Sequence, residues 1–245
     1  LCYSFSTLGT GGFATKNASI AAYNSVAIEW IICIFMILAG VNFSLYFFLL
    51  TGRAREFFKN TELKAYFGIL FTSILIITIF LVPQTSNIKE AFRLAAFQTA
   101  TIMSTTGFAT ADYELWLPAA QLVLFFLMFV GGSSGSTSGG VKVIRWVILG
   151  KQMHNEAKQM LHPHGVFSIR LNGEVGRKEV IYNVSAFFFL YFMLLVFTTF
   201  VVAGSGVDIL TSFTTALSTV GNIGPGFGLI GPTENMGFFS DGVKW

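Results

Sequence analysis

Ser104-Thr105-Thr106-Gly107-Phe108-Ala109-Thr110 is the stretch of sequence that decides the fold, because its last four residues occur twice. Gly12-Phe13-Ala14-Thr15 is the earlier copy, and Gly12 and Gly107 are 95 residues apart. A third stretch rich in Gly, running from Thr219 to Gly228, places Gly224 a further 117 residues along the chain. Repetition at this spacing indicates a recurring structural unit.

The sequence between these stretches is strongly apolar. The 245 residues are 53% hydrophobic and 11% charged, and they include 28 Phe, whereas charged residues make up about a quarter of an ordinary soluble domain. Apolar runs of roughly 20 residues can cross a bilayer as helices. The composition therefore predicts an all-α polytopic membrane protein with lipid as its surroundings, and argues against a soluble domain.

Four apolar segments are predicted to span the membrane. They are residues 26–50, 66–82, 115–130 and 181–203. The first is interrupted only by Glu29, Asn42 and the small residues around Ala39 and Gly40. Its 25 residues are long enough to span with some tilt, so we expect one helix there.

The basic residues define the predicted orientation. Eleven of the 15 Lys and Arg lie in two segments: Arg53, Arg55, Lys59, Lys64, Lys142, Arg145, Lys151, Lys158, Arg170, Arg177 and Lys178. By the positive-inside rule both segments face the cytoplasm, which places Asp112, Glu114 and Glu234 outside. The net charge of +3 thus reflects topology, and it gives little support to nucleic-acid binding.

Each Gly/Thr-rich stretch follows a short helical candidate on the predicted outer side. Residues 88–103 and 207–218 are too short or too polar for confident spans, and residues 5–15 resemble the end of such an element. We therefore predict re-entrant half-helices that lead into loops. Irregular backbone at membrane depth is tolerated only where protein or a water-filled cavity satisfies its polar groups.

The predicted loops have the chemistry of a cation filter. Carbonyl oxygens arranged in a ring can replace the hydration shell of a monovalent cation, and Gly permits the dihedrals that aim them. Thr219-Val220-Gly221 also echoes a potassium-channel filter pattern. The candidate ion-binding residues are Gly9, Thr10, Gly11, Gly12, Ser104, Thr105, Thr106, Gly107, Gly221, Asn222, Ile223 and Gly224.

A fourth feature is the run of Gly, Ser and Thr that interrupts an apolar segment. It consists of Gly131, Gly132, Ser133, Ser134, Gly135, Ser136, Thr137, Ser138, Gly139 and Gly140, with Lys142 just after it. Such residues do not sustain a regular helix. The run can be a flexible hinge, or a polar break inside the bilayer, because apolar residues continue beyond it.

The loops and this run together resemble the Trk/Ktr/HKT superfamily of cation transporters, and most closely its bacterial Trk-type membrane subunits. The resemblance covers nearly the whole chain and is strongest at residues 5–13, 104–108, 131–143 and 222–226. It implies repeated helix, re-entrant pore loop, helix units around a pseudo-fourfold pore, of which this chain lacks the first unit and the last helix. Residues 1–60, 61–165 and 166–245 then belong to the second, third and fourth units.

The same resemblance implies potassium translocation, with K⁺ as the transported ion and no enzymatic activity. Gly12, Gly107 and Gly224 take the filter-glycine position, although a literal Gly-Phe match would choose Gly226. A sodium or mixed-cation transporter remains an alternative, because the family's ion preference is associated with the missing first loop. Implied partners are a second copy of the chain and a cytosolic nucleotide-binding regulatory subunit, at the bacterial inner membrane.

By resemblance, residues 131–140 form an intramembrane gating loop beneath the filter. Lys142 at its end is then an electrostatic barrier to cations, or simply a lysine whose ammonium reaches toward water. Intramembrane charges are few, with Glu29 the clearest, which favours gated passive conduction over proton coupling.

Two other function classes fit parts of the sequence. Residues 131–135 match the G-x-S-x-G pattern of serine hydrolases, which would make the chain an intramembrane serine protease with Ser133 as the nucleophile. However, His154, His162 and His164 all lie in the basic segment predicted to be cytoplasmic, so no base is available on a spanning helix. A non-conducting membrane scaffold is also conceivable, but it does not need repeated re-entrant loops.

Overall fold

The structure, a computed structural model, describes residues 1–16, 18–165, 167–176 and 178–244, without the side chains of Glu174 and Lys178. Arg177, one of the residues predicted to face the cytoplasm, lies outside the described residues. The α-helices assigned are α1 (Cys2–Leu8), α2 (Val26–Ala39), α3 (Phe43–Leu50), α4 (Ala54–Lys59), α5 (Thr61–Leu81), α6 (Ile88–Met103), α7 (Pro118–Leu127), α8 (Val143–Leu161), α9 (Lys178–Ala203), α10 (Ile209–Gly221) and α11 (Asp241–Lys244).

Two of the predicted spans are single long helices. The apolar stretches of α5 and α9 have mean hydropathies of 2.0 and 2.4, and each helix is long enough to cross a bilayer. The side chains of α9 are largely exposed, including Phe189, Phe197 and Phe200. Exposed apolar side chains of this kind indicate contact with lipid. A helix can lie in lipid because its backbone polar groups are hydrogen-bonded within the helix.

The prediction of one continuous helix over residues 26–50 is wrong. α2 and α3 are bent by 94° relative to each other at residues 40–42. Asn42 caps α3, because its side-chain oxygen accepts a 2.8 Å hydrogen bond from the Ser44 amide. The Gly40 carbonyl accepts the Ser133 amide at 2.8 Å, so a distant segment stabilises the interruption.

The third apolar segment is also divided, as the run of Gly and Ser predicted. α7 begins with Pro118 in its first turn and ends at Leu127, well short of a bilayer's thickness. Residues 131–140 are irregular, and α8 then begins at Val143. This irregular run, residues 131–140, is called the Gly/Ser segment below.

The three predicted half-helices are α1, α6 and α10. Asn87 caps α6 by accepting the Lys89 amide at 3.1 Å, and Asp208 caps α10 by accepting the Thr211 amide at 3.1 Å. Hydrogen bonds from Thr211 hold the pKa of the Asp208 carboxyl below its usual value. The last nine residues of α6, 95–103, are all buried, and the Ala and Thr residues among them let neighbouring backbones approach closely.

A single short hairpin departs from the helical pattern in the described residues. β1 (Arg170–Leu171) and β2 (Glu174–Val175) pair antiparallel, with Arg170 opposite Val175. Asn172 and Gly173 make the turn, both with positive φ, which suits these two residue types. Four paired residues do not alter the fold class, and the predicted all-α membrane architecture is confirmed.

The core lies behind the loops that follow the half-helices. Tyr66, Phe97, Phe108 and Tyr113 are among its fully buried side chains. The Tyr66 hydroxyl donates to the Ile37 carbonyl at 3.0 Å, joining α5 to α2. The Tyr113 hydroxyl donates to the Gly226 carbonyl at 2.6 Å, and burial raises the pKa of Tyr113 well above its usual value, so the hydroxyl keeps the proton that it donates.

Candidate functional site

Three loops converge beside the ends of the half-helices: a first loop (residues 9–12), a second loop (104–107) and a third loop (221–224). A Cβ atom added to Gly12 would overlap the Thr106 carbonyl oxygen, and one added to Gly107 would overlap the Ile223 carbonyl oxygen. A Cβ atom on Gly224 would lie 3.2 Å from the Gly107 Cα. The first loop therefore rests on the second, and the second on the third.

The three loops share one backbone conformation. In each, the predicted filter glycine and the residue two before it have positive φ, in the pairs Thr10 (49°) and Gly12 (68°), Thr105 (55°) and Gly107 (83°), and Asn222 (55°) and Gly224 (107°). Positive φ is uncommon outside Gly, and for Thr it is a clear outlier. Gly226 does not share this conformation, which supports Gly224 as the matching position.

Each loop is tied to the half-helix before it by the same hydrogen bond. The residue preceding the filter glycine donates its amide to a carbonyl five residues back: Gly11 to Ser6 at 2.9 Å, Thr106 to Thr101 at 2.9 Å, and Ile223 to Ser218 at 2.8 Å. Three helix C-termini thus end at the loops. The negative end of a helix dipole favours a nearby cation.

Hydroxyl groups brace the loops further. The Ser6 hydroxyl oxygen accepts the Phe13 amide at 2.6 Å. The Ser218 hydroxyl oxygen accepts the Gly224 amide at 3.1 Å and its hydroxyl donates to the Gly224 carbonyl at 2.5 Å. Within the second loop, the Ser104 and Thr106 hydroxyls are 2.7 Å apart. These contacts fix the loop backbone by short-range hydrogen bonds.

The predicted filter residues differ in exposure. Ser104, Thr105 and Thr106 of the second loop are buried, whereas Gly9 and Gly11 of the first loop are exposed, as are Asn222 and Gly224 of the third. The second loop is therefore flanked on both sides, while the first and third loops present free edges. Gly12, Gly107 and Gly224 all line one cavity of about 180 Å³, whose wall also includes Glu234.

The Gly/Ser segment folds back so that its two ends meet. Val130 and Val141 form a parallel β-bridge, and the Gly131 amide donates to the Val141 carbonyl at 2.9 Å. The Val143 amide donates to the Gly132 carbonyl at 3.1 Å. α7 ends and α8 begins at nearly the same place, so the residues between them form a closed loop rather than an extended hinge.

This segment contacts all three loops. The Thr10 hydroxyl donates to the Thr137 carbonyl at 2.9 Å. The Gly139 amide donates to the Thr105 hydroxyl oxygen at 2.6 Å. Gly139 also packs so closely on the Gly221 carbonyl that a Cβ atom would overlap it. The segment thus lies directly against the loops. Its contacts in the first and second loops are made by Thr10 and Thr105, the two Thr residues with positive φ.

Three residues that hold the segment were missed by the sequence analysis as functional residues. Gly40 accepts the Ser133 amide at 2.8 Å, and Asn42 lies against Gly135. Glu62 accepts the Ser134 amide at 2.6 Å and the Ile144 amide at 3.1 Å. A Gly and an Asn inside an apolar run were the available signal for the first two. Glu62 carried only the weaker signal of an acid at a helix start.

Lys142 is turned toward the Gly/Ser segment. Its ammonium group donates to the Ser138 carbonyl, and the residue is partly buried. The positive charge therefore lies beside the segment and does not extend freely toward water.

The geometry disfavours the hydrolase alternative. Ser133 is 1% exposed, and its hydroxyl makes no hydrogen bond within the described part of the chain. An activated serine needs a base within hydrogen-bond reach. His154 belongs to α8, and His162 and His164 follow it; all three are exposed, whereas Ser133 is buried.

Comparisons with known proteins bear directly on this arrangement. A family model described as TrkH, cation transport protein, matches residues 1–240. Trk system potassium uptake protein TrkH of Escherichia coli K12 is 33% identical over 246 residues, covering 99% of this chain and 50% of that protein. TrkG of the same strain is 32% identical over 247 residues.

A solved structure agrees in three dimensions. The crystal structure of the potassium transporter TrkH from Vibrio parahaemolyticus superimposes with a TM-score of 0.91 at 33% identity, covering 99% of this chain and 52% of that one. The chain spans about half the length of the relatives it matches. The resemblance drawn from the loops and the Gly/Ser segment is confirmed, and the chain belongs to the TrkH family of cation transport proteins.

Proposed function

We propose that this chain provides the filter and gate of a protein that translocates potassium ions across the membrane. The observation that carries the proposal is the meeting of the three loops with one shared backbone conformation at Gly12, Gly107 and Gly224. Relatives named as potassium uptake proteins support K⁺ as the transported ion.

The proposed filter consists of the twelve residues of the three loops. Their backbone carbonyls supply the oxygen ligands that replace water around a monovalent cation. The half-helix C-termini add the negative ends of three dipoles. Buried Thr10 and Thr105 are fixed through hydrogen bonds to the Gly/Ser segment, which keeps their backbone in place without adding a fixed charge.

The proposed gate is the Gly/Ser segment, residues 131–140, with Lys142. Its contacts with all three loops support a position across the ion path. Gly and Ser resist helix formation, so the segment can adopt a second arrangement at modest free-energy cost. The Lys142 ammonium beside Ser138 adds a positive charge that repels an approaching cation while the segment is in this position.

In the proposed assembly, residues 1–60, 61–165 and 166–245 belong to three successive units around one pseudo-fourfold pore. The free edges of the first and third loops leave room for a fourth loop. We further propose that the protein works as a homodimer with a cytosolic nucleotide-binding regulatory subunit, which would approach the basic segments. The names of the relatives, which refer to a Trk system, agree with a transporter that has partner proteins.

An uptake assay tests the substrate. We expect the intact protein, reconstituted in vesicles, to take up rubidium as a potassium substitute, and excess potassium to compete strongly. Sodium should compete weakly. Equal competition by sodium and potassium would instead support the alternative of a mixed-cation transporter. Uptake indistinguishable from protein-free vesicles would contradict translocation and favour a non-conducting scaffold.

A further inference from the structure

We propose that Glu62 is a positioning residue that holds the Gly/Ser segment against the three loops, and that Thr61 connects it to the hairpin β1–β2. The inference rests on the proposed gate, which it extends by naming what keeps the gate in place and which element can release it. Glu62 occupies the first turn of α5 and is 6% exposed.

One carboxylate oxygen of Glu62 joins two parts of the chain. Oε1 accepts the Ser134 amide, inside the Gly/Ser segment, at 2.6 Å. It also accepts the Ile144 amide, in the first turn of α8, at 3.1 Å. The first amides of a helix have no partner within the helix and attract an anion. The carboxylate therefore fastens the segment to the start of α8.

Lys142 adds a second contact to the same segment. Its ammonium donates to the Ser138 carbonyl, so Lys142 holds the end of the segment nearest α8, while Glu62 holds Ser134. Among the described residues, Glu62 supplies the one carboxylate that accepts a hydrogen bond from the Gly/Ser segment.

The residue before Glu62 is bound to the hairpin. The Thr61 amide donates to the Asn172 side-chain oxygen at 2.8 Å. In return, the Asn172 amide donates to the Thr61 hydroxyl oxygen at 3.3 Å. Asn172 lies in the turn between β1 and β2 with a φ of 51°. A reciprocal pair of bonds thus links this hairpin, 111 residues away in sequence, to the first turn of α5.

The consequence is a short mechanical connection from the cytoplasmic side to the proposed gate. Thr61 and Glu62 are adjacent in one helical turn, so displacing the hairpin shifts the backbone that carries the carboxylate. Loss of the hydrogen bond from Ser134 frees the segment, and loss of the hydrogen bond from Ile144 frees the start of α8. Arg170, Asn172 and Val175 of the hairpin are exposed, so a cytosolic molecule that binds there can bias the segment between two arrangements.

Ion flux through the intact protein tests the role of Glu62. We expect Glu62→Ala to raise basal flux about tenfold, the effect of shifting the closed arrangement by about 1.4 kcal/mol. Glu62→Gln keeps one acceptor oxygen without the charge and should give a smaller increase. Glu56→Ala is the matched control, because Glu56 is an exposed acid close to Glu62 in sequence and pairs with the neighbouring Arg53. Its flux should match that of the unaltered protein.

The hairpin connection has its own test. We expect Asn172→Ala to raise basal flux, and Asn172→Ala combined with Glu62→Ala to add little to Glu62→Ala alone, since coupled residues are not additive. Unchanged flux in Asn172→Ala, beside a raised flux in Glu62→Ala, would overturn the connection. Fully additive effects would overturn it as well.

If a variant changes flux because it misfolds, the rate of cysteine labelling in the Gly/Ser segment tests the role of Glu62 independently. Ser134 has an exposed side chain, so Ser134→Cys can be labelled while its backbone amide is retained. In a background without other cysteines, Glu62→Ala or Glu62→Gln should increase the labelling rate at position 134. An unchanged rate would overturn the role of Glu62.

Deletion of part of the Gly/Ser segment separates this inference from the proposed gate. Raised flux in the deletion variant, with unchanged flux in Glu62→Ala, would refute Glu62 as the positioning residue and leave the gate standing. Unchanged flux in both variants would refute the gate and this inference together.

Discussion

Gly12, Gly107 and Gly224 each satisfy two separate constraints. Each has positive φ, which a side chain disfavours by roughly 1–2 kcal/mol. Each also lies against a neighbouring loop with little or no room for a Cβ atom. The sequence analysis found Gly12 and Gly107 because Gly-Phe-Ala-Thr is repeated, and it chose Gly224 from the family resemblance. The contact of one glycine with the carbonyl of the next loop was not predictable, because it depends on the packing of three distant half-helices.

We expect Gly107→Ser and Gly12→Ser to weaken discrimination between potassium and sodium. A side chain at either position must displace a carbonyl of the adjacent loop, which alters the oxygen positions that distinguish the two ions. The measurement is the permeability ratio in reconstituted protein. Gly68→Ser is a matched control, since a Cβ atom there meets nothing within 4 Å. Unaltered permeability ratios in both filter variants, at normal membrane abundance, would exclude these glycines from the filter.

Among the elements, the Gly/Ser segment forms an irregular loop whose two ends lie next to each other. Its ends are joined by the bridge between Val130 and Val141, so several residues can be removed without separating α7 from α8. We expect deletion of residues 134–138 in the intact protein to raise basal flux at least about tenfold and to reduce its regulation. The physical reason is that the deleted residues include Thr137, which binds the first loop.

A substitution that keeps the chain length is the control. Gly150→Ala in α8 adds a Cβ atom where nothing lies within 4 Å, so basal flux should be unchanged. If the Gly/Ser segment were only a hinge, its shortening would reduce folding yield or flux. Well-folded deletion variants with basal flux equal to or below that of the unaltered protein, and still regulated, would therefore contradict the gate.

The elements show where local sequence suffices and where it does not. α5 and α9 followed from apolar length, and the half-helix α6 from length together with its polar start. The bend between α2 and α3 did not follow, because residues 26–50 are long enough for one span and the bend depends on the Gly40 carbonyl accepting the distant Ser133 amide. Glu62 was passed over for the same reason. Its role is set by amides 72 and 82 residues away in sequence.

At the scale of the whole molecule, charge and hydropathy predict the orientation in the membrane. The predicted location in the bacterial inner membrane, as a multi-pass protein, is confirmed by family membership and by the two long apolar helices. The loops lie at the C-terminal ends of the half-helices, and Asp112, Glu114 and Glu234 lie on connections at the predicted outer face.

Cysteine labelling checks that orientation. In intact cells, we expect an impermeant thiol reagent to label Glu234→Cys and Asp112→Cys without permeabilisation. Lys158→Cys, at an exposed position on α8, should be labelled only after permeabilisation, because the positive-inside rule places it in the cytoplasm. Labelling of position 112 only after permeabilisation would invert the topology, and with it the assignment of the loops to the outer half of the membrane.

The stacking of the loops has a consequence for how ion preference can change. Gly12 rests on the second loop, and Gly107 rests on the third. The width of the proposed filter consequently depends on all of these loops, since moving one loop removes the surface against which its neighbour packs. A substitution in a single loop is then expected to blur ion preference, whereas a shift to a different preferred ion requires compensating changes in adjacent loops. The selectivity of the proposed filter would therefore depend on all of its loops together.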